Sequence, residues 1–110
     1  MQLYIFDKNV KTMIHYNIKT YSFALGDHAN MWVWENNSIK AKLEFKDFKT
    51  AFAFMTNVAE KAELMQHHPY WQNSYNKVLI SLFTHDKGGV TDLDITIAKY
   101  ISEIYRSYIS

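Results

Sequence analysis

From Trp32 onward, apolar and polar positions alternate. Trp32, Trp34, Ile39, Ala41, Leu43 and Phe45 interleave with Val33, Glu35, Lys40, Lys42 and Glu44. A period of two with one apolar and one mostly charged face marks half-buried strands. Asn36-Asn37 sits between the two runs and tolerates positive φ, which predicts a tight hairpin turn. That turn sets Trp34 opposite Ile39 and Trp32 opposite Ala41, so register and pattern agree.

The period then changes. Asp47 is placed to cap a helix. Phe48, Ala51, Phe52, Met55, Val58, Ala59 and Ala62 recur at spacings of three and four as its apolar stripe. Residue 68 precedes Pro69 and is biased away from the α region, so the helix should stop near Gln66. A second hairpin follows, with residues 71–75 and 78–84 flanking Asn76-Lys77. With the turn at 76–77, Tyr75 opposes Val78, Asn73 opposes Ile80 and Trp71 opposes Leu82. Val78, Ile80 and Leu82 form one face. The other carries Leu79 and Phe83, more apolar than a solvated face, which points to an interface. Lys87-Gly88-Gly89 reads as a turn. Thr91 followed by Asp94 approaches a capping box. It opens a last helix over about residues 92–109, with Leu93, Ile97, Ile101, Ile104 and Tyr108 inward.

The order ββαββα implies an α+β, two-layer fold: an antiparallel four-stranded sheet from two β-hairpins, with helices packed on one face. Residues 31–110 form this domain. Residues 1–30 resist assignment: 3–6 are apolar and β-prone, and 13–18 suit strand or helix. Met31 leaves room for a start of the chain at that residue.

Composition narrows the function classes. The chain has 110 residues, enough for one domain. Its 12 basic and 11 acidic residues leave a net charge of +1, which excludes a strongly basic nucleic-acid binder. The longest apolar run, residues 51–55, is far too short to span a bilayer, and no basic-then-apolar leader opens the chain. A cytoplasmic location without membrane attachment is the expectation. Absence of cysteine excludes disulfides, thiolate nucleophiles and cysteine-held metals.

Five histidines remain. His15 and His28 read as ordinary surface or packing residues. His67, His68 and His85 are placed differently. If the 76–77 hairpin ladder runs to its open end, His68 lies across from His85, with Cα atoms about 4.5–5.5 Å apart. His67 adjoins them at the helix end. Imidazoles exchange protons near neutral pH, so two across a small cleft can act as acid and base on one substrate. A three-histidine zinc site and plain surface histidines at a loop are the alternatives.

The run Glu63-Leu-Met-Gln-His67-His68-Pro69-Tyr-Trp71, then Tyr75-Asn76-Lys77-Val78, Leu82-Phe-Thr84-His85 and Gly89-Val-Thr91-Asp-Leu-Asp94, resembles the pterin-4a-carbinolamine dehydratases. Phe45-Lys-Asp47-Phe48 and Ala51-Phe-Ala-Phe-Met55 resemble the same family's strand-to-helix passage. The resemblance spans about residues 32–106. It implies a lyase that dehydrates 4a-hydroxytetrahydropterin to quinonoid dihydropterin in tetrahydrobiopterin recycling, without metal or redox cofactor. It implies His67 and His85 as acid–base groups and His68 as central binder and catalytic candidate. Glu63, Trp71 and Asp94 are implied as substrate-binding residues, although the cap explains Asp94 equally well, a solvated helix face explains Glu63, and Trp71 also falls on the core face. Homodimers or homotetramers are implied as assemblies. A non-catalytic, coactivator-like interaction module on the same fold is the alternative. The family opens with a leucine-containing helix ahead of its first strand, which is not legible in residues 1–30.

Overall fold

The structure, a computed structural model, describes residues 13–110, so the β-prone residues 3–6 lie outside the described part. Helix starts follow their caps. Asp47 is extended, and its carboxylate accepts the Thr50 backbone N–H at 2.8 Å, opening the first long helix, Phe48–Met65. That hydrogen bond holds the Asp47 carboxyl below its usual range. Thr91 and Asp94 complete a capping box that opens the last helix, Asp92–Ile109.

In chain order the strands are β1 (His15–Tyr16), β2 (Val33–Glu35), β3 (Ser38–Glu44), β4 (Tyr70–Ser74), β5 (Lys77–Leu82) and β6 (Val90–Thr91). The helices are α1 (Tyr21–Leu25), α2 (Phe48–Met65) and α3 (Asp92–Ile109), with short 3₁₀ turns at Gly26–Met31 and His85–Lys87. Strands β2-β3-β5-β4 form an antiparallel sheet in that order, and β1 pairs with β6 apart from it. The α+β class and the helix-covered sheet are as expected. The first hairpin also matches: Trp34 opposes Ile39, and Asn36 and Asn37 both have positive φ.

The second hairpin differs. Its turn is Tyr75-Asn76, so Ser74 opposes Lys77, Asn73 opposes Val78 and Trp71 opposes Ile80. Tyr75 takes the left-handed conformation at φ 51°. Asn76 is tied to the end of β3 by two bonds, Asn76 Nδ2 donating to the Phe45 carbonyl at 2.7 Å and Phe45 N–H to the Asn76 carbonyl at 2.8 Å. The two-residue shift leaves every side chain on its expected face, because strand faces repeat every two residues. The ladder ends at Tyr70 and Leu82, so it never carries His68 opposite His85.

The apolar stripe of α2 is also rotated from the expected one. Ala51, Phe54, Val58, Ala62 and Met65 are buried, while Phe48 and Phe52 are about half exposed at 47% and 54%. Phe54 meets Phe45, Tyr105 and Tyr108 at ring-centroid distances of 4.9, 6.1 and 5.7 Å.

Ahead of β2, α1 ends at Gly26, whose φ of 60° suits glycine, and buries Leu25 in the core. This is a short leucine-containing helix that the sequence reading did not find. It is too brief for a helical period to show. No helix of the described residues is long and apolar enough to cross a membrane.

Residues 13–16 clasp the start of α3. Tyr16 Oη–H donates to Asp92 Oδ1 at 2.7 Å, and Ile14 N–H donates to Asp92 Oδ2 at 3.2 Å. Burial, then the Asp92 bond and charge, push the Tyr16 phenol from 10.0 up to about 12. The folded state thus favours the neutral phenol. Its contribution to stability is full below about pH 10 and is lost as pH rises towards 12. Tyr16→Phe is expected to flatten the fall of the urea midpoint across that window. An unchanged slope would show that the phenol is not linked to folding.

Candidate active site

The end of α2 sets the first histidine. Gln66 adopts the left-handed conformation, φ 52° and ψ 41°, at the helix C-cap. Gln66 N–H reaches the Glu63 carbonyl at 3.2 Å and His67 N–H reaches the Ala62 carbonyl at 3.1 Å. This pair of bonds is a Schellman ending, and it folds His67 back under the helix. Pro69 follows and blocks any continuation.

His67 is buried, with 6% of its surface exposed, and its Nε2 lies 2.6 Å from Asp94 Oδ1. Asp94 is wholly buried in the first turn of α3. Its second oxygen accepts the Thr84 hydroxyl at 2.7 Å and the Thr91 backbone N–H at 2.9 Å. Thr84 and Thr91 are buried too, and their hydroxyls lie 2.6 Å apart. A buried carboxylate is costly without partners, and this one has three hydrogen-bonding partners around it.

His68 is more open. Its Nε2 lies 2.6 Å from Glu63 Oε2, with both side chains more than half exposed, so the pair adds little stability. His85 opens the 3₁₀ turn after β5, and its ring is tilted against Phe83 at a centroid distance of 5.7 Å. The turn is closed behind it by Thr84 N–H donating to the Gly89 carbonyl at 2.7 Å.

Gln66, His67, His68, Phe83, Thr84, His85 and Asp86 line one hollow of about 200 Å³. The three histidines therefore share a pocket, although not through the cross-strand pairing expected. They meet because the α2 ending and the turn after β5 approach one another. Glu63 stands on the rim through His68. Trp71 is half-buried against the core opposite Ile80 and is not part of the lining. Asp94 touches the hollow only through His67 and Thr84. Among the described residues, no three His, Cys, Asp or Glu side chains are gathered to hold a metal ion.

Sequence reasoning passed over Asp86 in the lining and the two threonine hydroxyls behind Asp94. The Thr91 cap was legible as a helix signal, but its second contact, to Thr84, joins segments on either side of a turn.

Comparison with known proteins places the chain in a family. A family model described as pterin 4 alpha carbinolamine dehydratase matches residues 17–104. A Synechococcus sp. (strain WH7803) protein assigned as a pterin-4-alpha-carbinolamine dehydratase is 53% identical over 73 residues, covering 66% of this chain and 78% of its own. A similarly assigned protein of Prochlorococcus marinus subsp. pastoris is 43% identical over 92 residues, covering 84% of this chain and 92% of its own. A solved structure from Brucella melitensis, described as a transcriptional coactivator/pterin dehydratase, superposes with a TM-score of 0.75 at 39% identity. It covers 84% of this chain and 99% of that one. On the family match, the relatives and the shared fold together, this chain belongs to the pterin 4 alpha carbinolamine dehydratase family.

Proposed function

We propose that this hydro-lyase dehydrates a 4a-hydroxytetrahydropterin by histidine general acid–base catalysis, within tetrahydrobiopterin recycling. The observation that carries this reading is the single small hollow lined by His67, His68 and His85, one of them backed by a buried carboxylate. In the reaction the C4a–O bond breaks and the hydroxyl leaves as water after taking a proton. The N5 proton departs and the N5–C4a double bond of the quinonoid dihydropterin forms. One proton is given and one taken, with no change of oxidation state, so the chemistry calls for no redox cofactor. An imidazolium and a neutral imidazole suffice, and such proton transfer contributes about 10²–10⁴-fold.

His67 and His85 serve as the acid–base pair and His68 as the main contact with the pterin. Glu63 orients His68 in the free enzyme, and holds the amino-pyrimidinone edge only by exchanging that partner. Asp94 acts through His67. The uncovered face of the sheet exposes Val33 and Tyr70 and carries the half-buried Leu79, which supports self-association as a homodimer or homotetramer.

The test is dehydration of a synthetic 4a-hydroxytetrahydropterin by the purified protein. Wild type is expected to accelerate it, with a rate that depends on pH near neutrality, and His68→Ala to lower the rate at least about tenfold. A wild-type rate no better than buffer would favour a coactivator-like interaction module on the same fold.

A further inference from the structure

The hydrogen bonds behind Asp94 have only one consistent direction. The backbone N–H of Leu93 can only donate, and it meets Thr91 Oγ1 at 3.3 Å. Thr91 Oγ1 lies 2.6 Å from Thr84 Oγ1, which lies 2.7 Å from Asp94 Oδ2. A carboxylate only accepts, so the single hydroxyl proton of Thr84 goes to Asp94. The short contact between the threonines must then draw its proton from Thr91. The chain therefore runs from Leu93 to Thr91, from Thr91 to Thr84 and from Thr84 to Asp94.

The remaining oxygen of Asp94 faces His67 Nε2 at 2.6 Å. Since Asp94 has no proton to give, Nε2 carries the hydrogen in either charge state of the ring. The opposite tautomer would set a ring lone pair against a carboxylate lone pair in a buried site. We propose that Thr84 is a positioning residue: its hydroxyl, ordered by the Thr91 cap of α3, holds Asp94 so that His67 keeps one proton on Nε2 and exchanges the other at Nδ1. The cap and the relay are one group, because Thr91 Oγ1 accepts from the first turn of α3 while donating towards the site. Folding of that helix end and readiness of the histidine are thus coupled through a single hydroxyl.

The rate consequence rests on the proposed function, whereas the ring state does not. The experiment is ¹⁵N NMR of the His67 ring in wild type, Thr84→Val and Thr84→Ser, with kcat and KM from the same preparations. Valine keeps the branched shape, and the backbone of residue 84 stays paired with Gly89. Wild type is expected to hold hydrogen on Nε2 wherever the ring is neutral. Thr84→Val is expected to let the Asp94 carboxylate turn away from the ring, so that His67 shows both tautomers and kcat falls by about tenfold at unchanged KM, and Thr84→Ser to restore both. Hydrogen on Nδ1 in the wild-type ring overturns the proposal by itself, even if the valine variant fails to fold. A valine variant with the wild-type tautomer and kcat overturns it too. Wild type without dehydratase activity strikes the proposed function instead, and the ring spectra then decide the relay alone.

Discussion

Asparagine in place of Asp94 is expected to lower the dehydration rate by about 10²–10⁴-fold while leaving the chain folded. The asparagine carbonyl can still accept from the Thr91 N–H and the Thr84 hydroxyl, which both meet one oxygen of Asp94. Its amide then takes the place of the other oxygen, 2.6 Å from His67 Nε2, and it can only donate. The ring answers by accepting at Nε2 and carrying its hydrogen on Nδ1. The nitrogen left for the substrate is then protonated and cannot act as a base. Every buried polar group keeps a partner, so the fold loses little beyond one charge at a helix N-terminus, worth about 0.3–1 kcal/mol. Turnover and the His67 ring spectrum measured on the same protein separate loss of chemistry from loss of structure. A variant within threefold of wild type, folded and with its ring inverted, would remove His67 from the acid–base pair.

Phe54→Ala is expected to cost about 3–5 kcal/mol of folding stability, against a total of about 5–15 for a domain of this kind. Phe54 is fully buried and touches rings from β3's end and from α3, so truncation leaves a cavity among groups that cannot all collapse onto it. Phe52 is the internal control. It lies two residues away, about 200° around the helix, and is half exposed. Phe52→Ala should cost less than about 1 kcal/mol. Urea denaturation of both variants checks this, and equal costs would mean that α2 buries a different face.

This contrast shows where local pattern runs out. In Phe52-Ala-Phe54 two large apolar side chains compete for one face, and spacings of three and four can be drawn through either. Only the rings opposite, Phe45, Tyr105 and Tyr108, select Phe54. The second hairpin was ambiguous for a like reason. Turns at 75–76 and 76–77 differ by two in register and leave the same residues on the same faces. The choice came from Asn76 bonding to Phe45, a residue on another strand. Strand β1 is two residues long and finds its partner β6 near the far end of the domain, so no nearby signal marks it.

By itself, the sequence determined the α+β order, the first hairpin register, the caps at Asp47 and Thr91 and the helix stop before Pro69. Each rests on spacing, φ preference or a hydrogen bond within a few residues, and such forces act locally. It also singled out His67, His68 and His85. Only the tertiary structure decided that Asp94 stands behind His67 and that two threonine hydroxyls order the buried carboxylate. Hydrogen bonds act over about 3 Å, and only the packing of α3 against the end of α2 brings those groups within that reach.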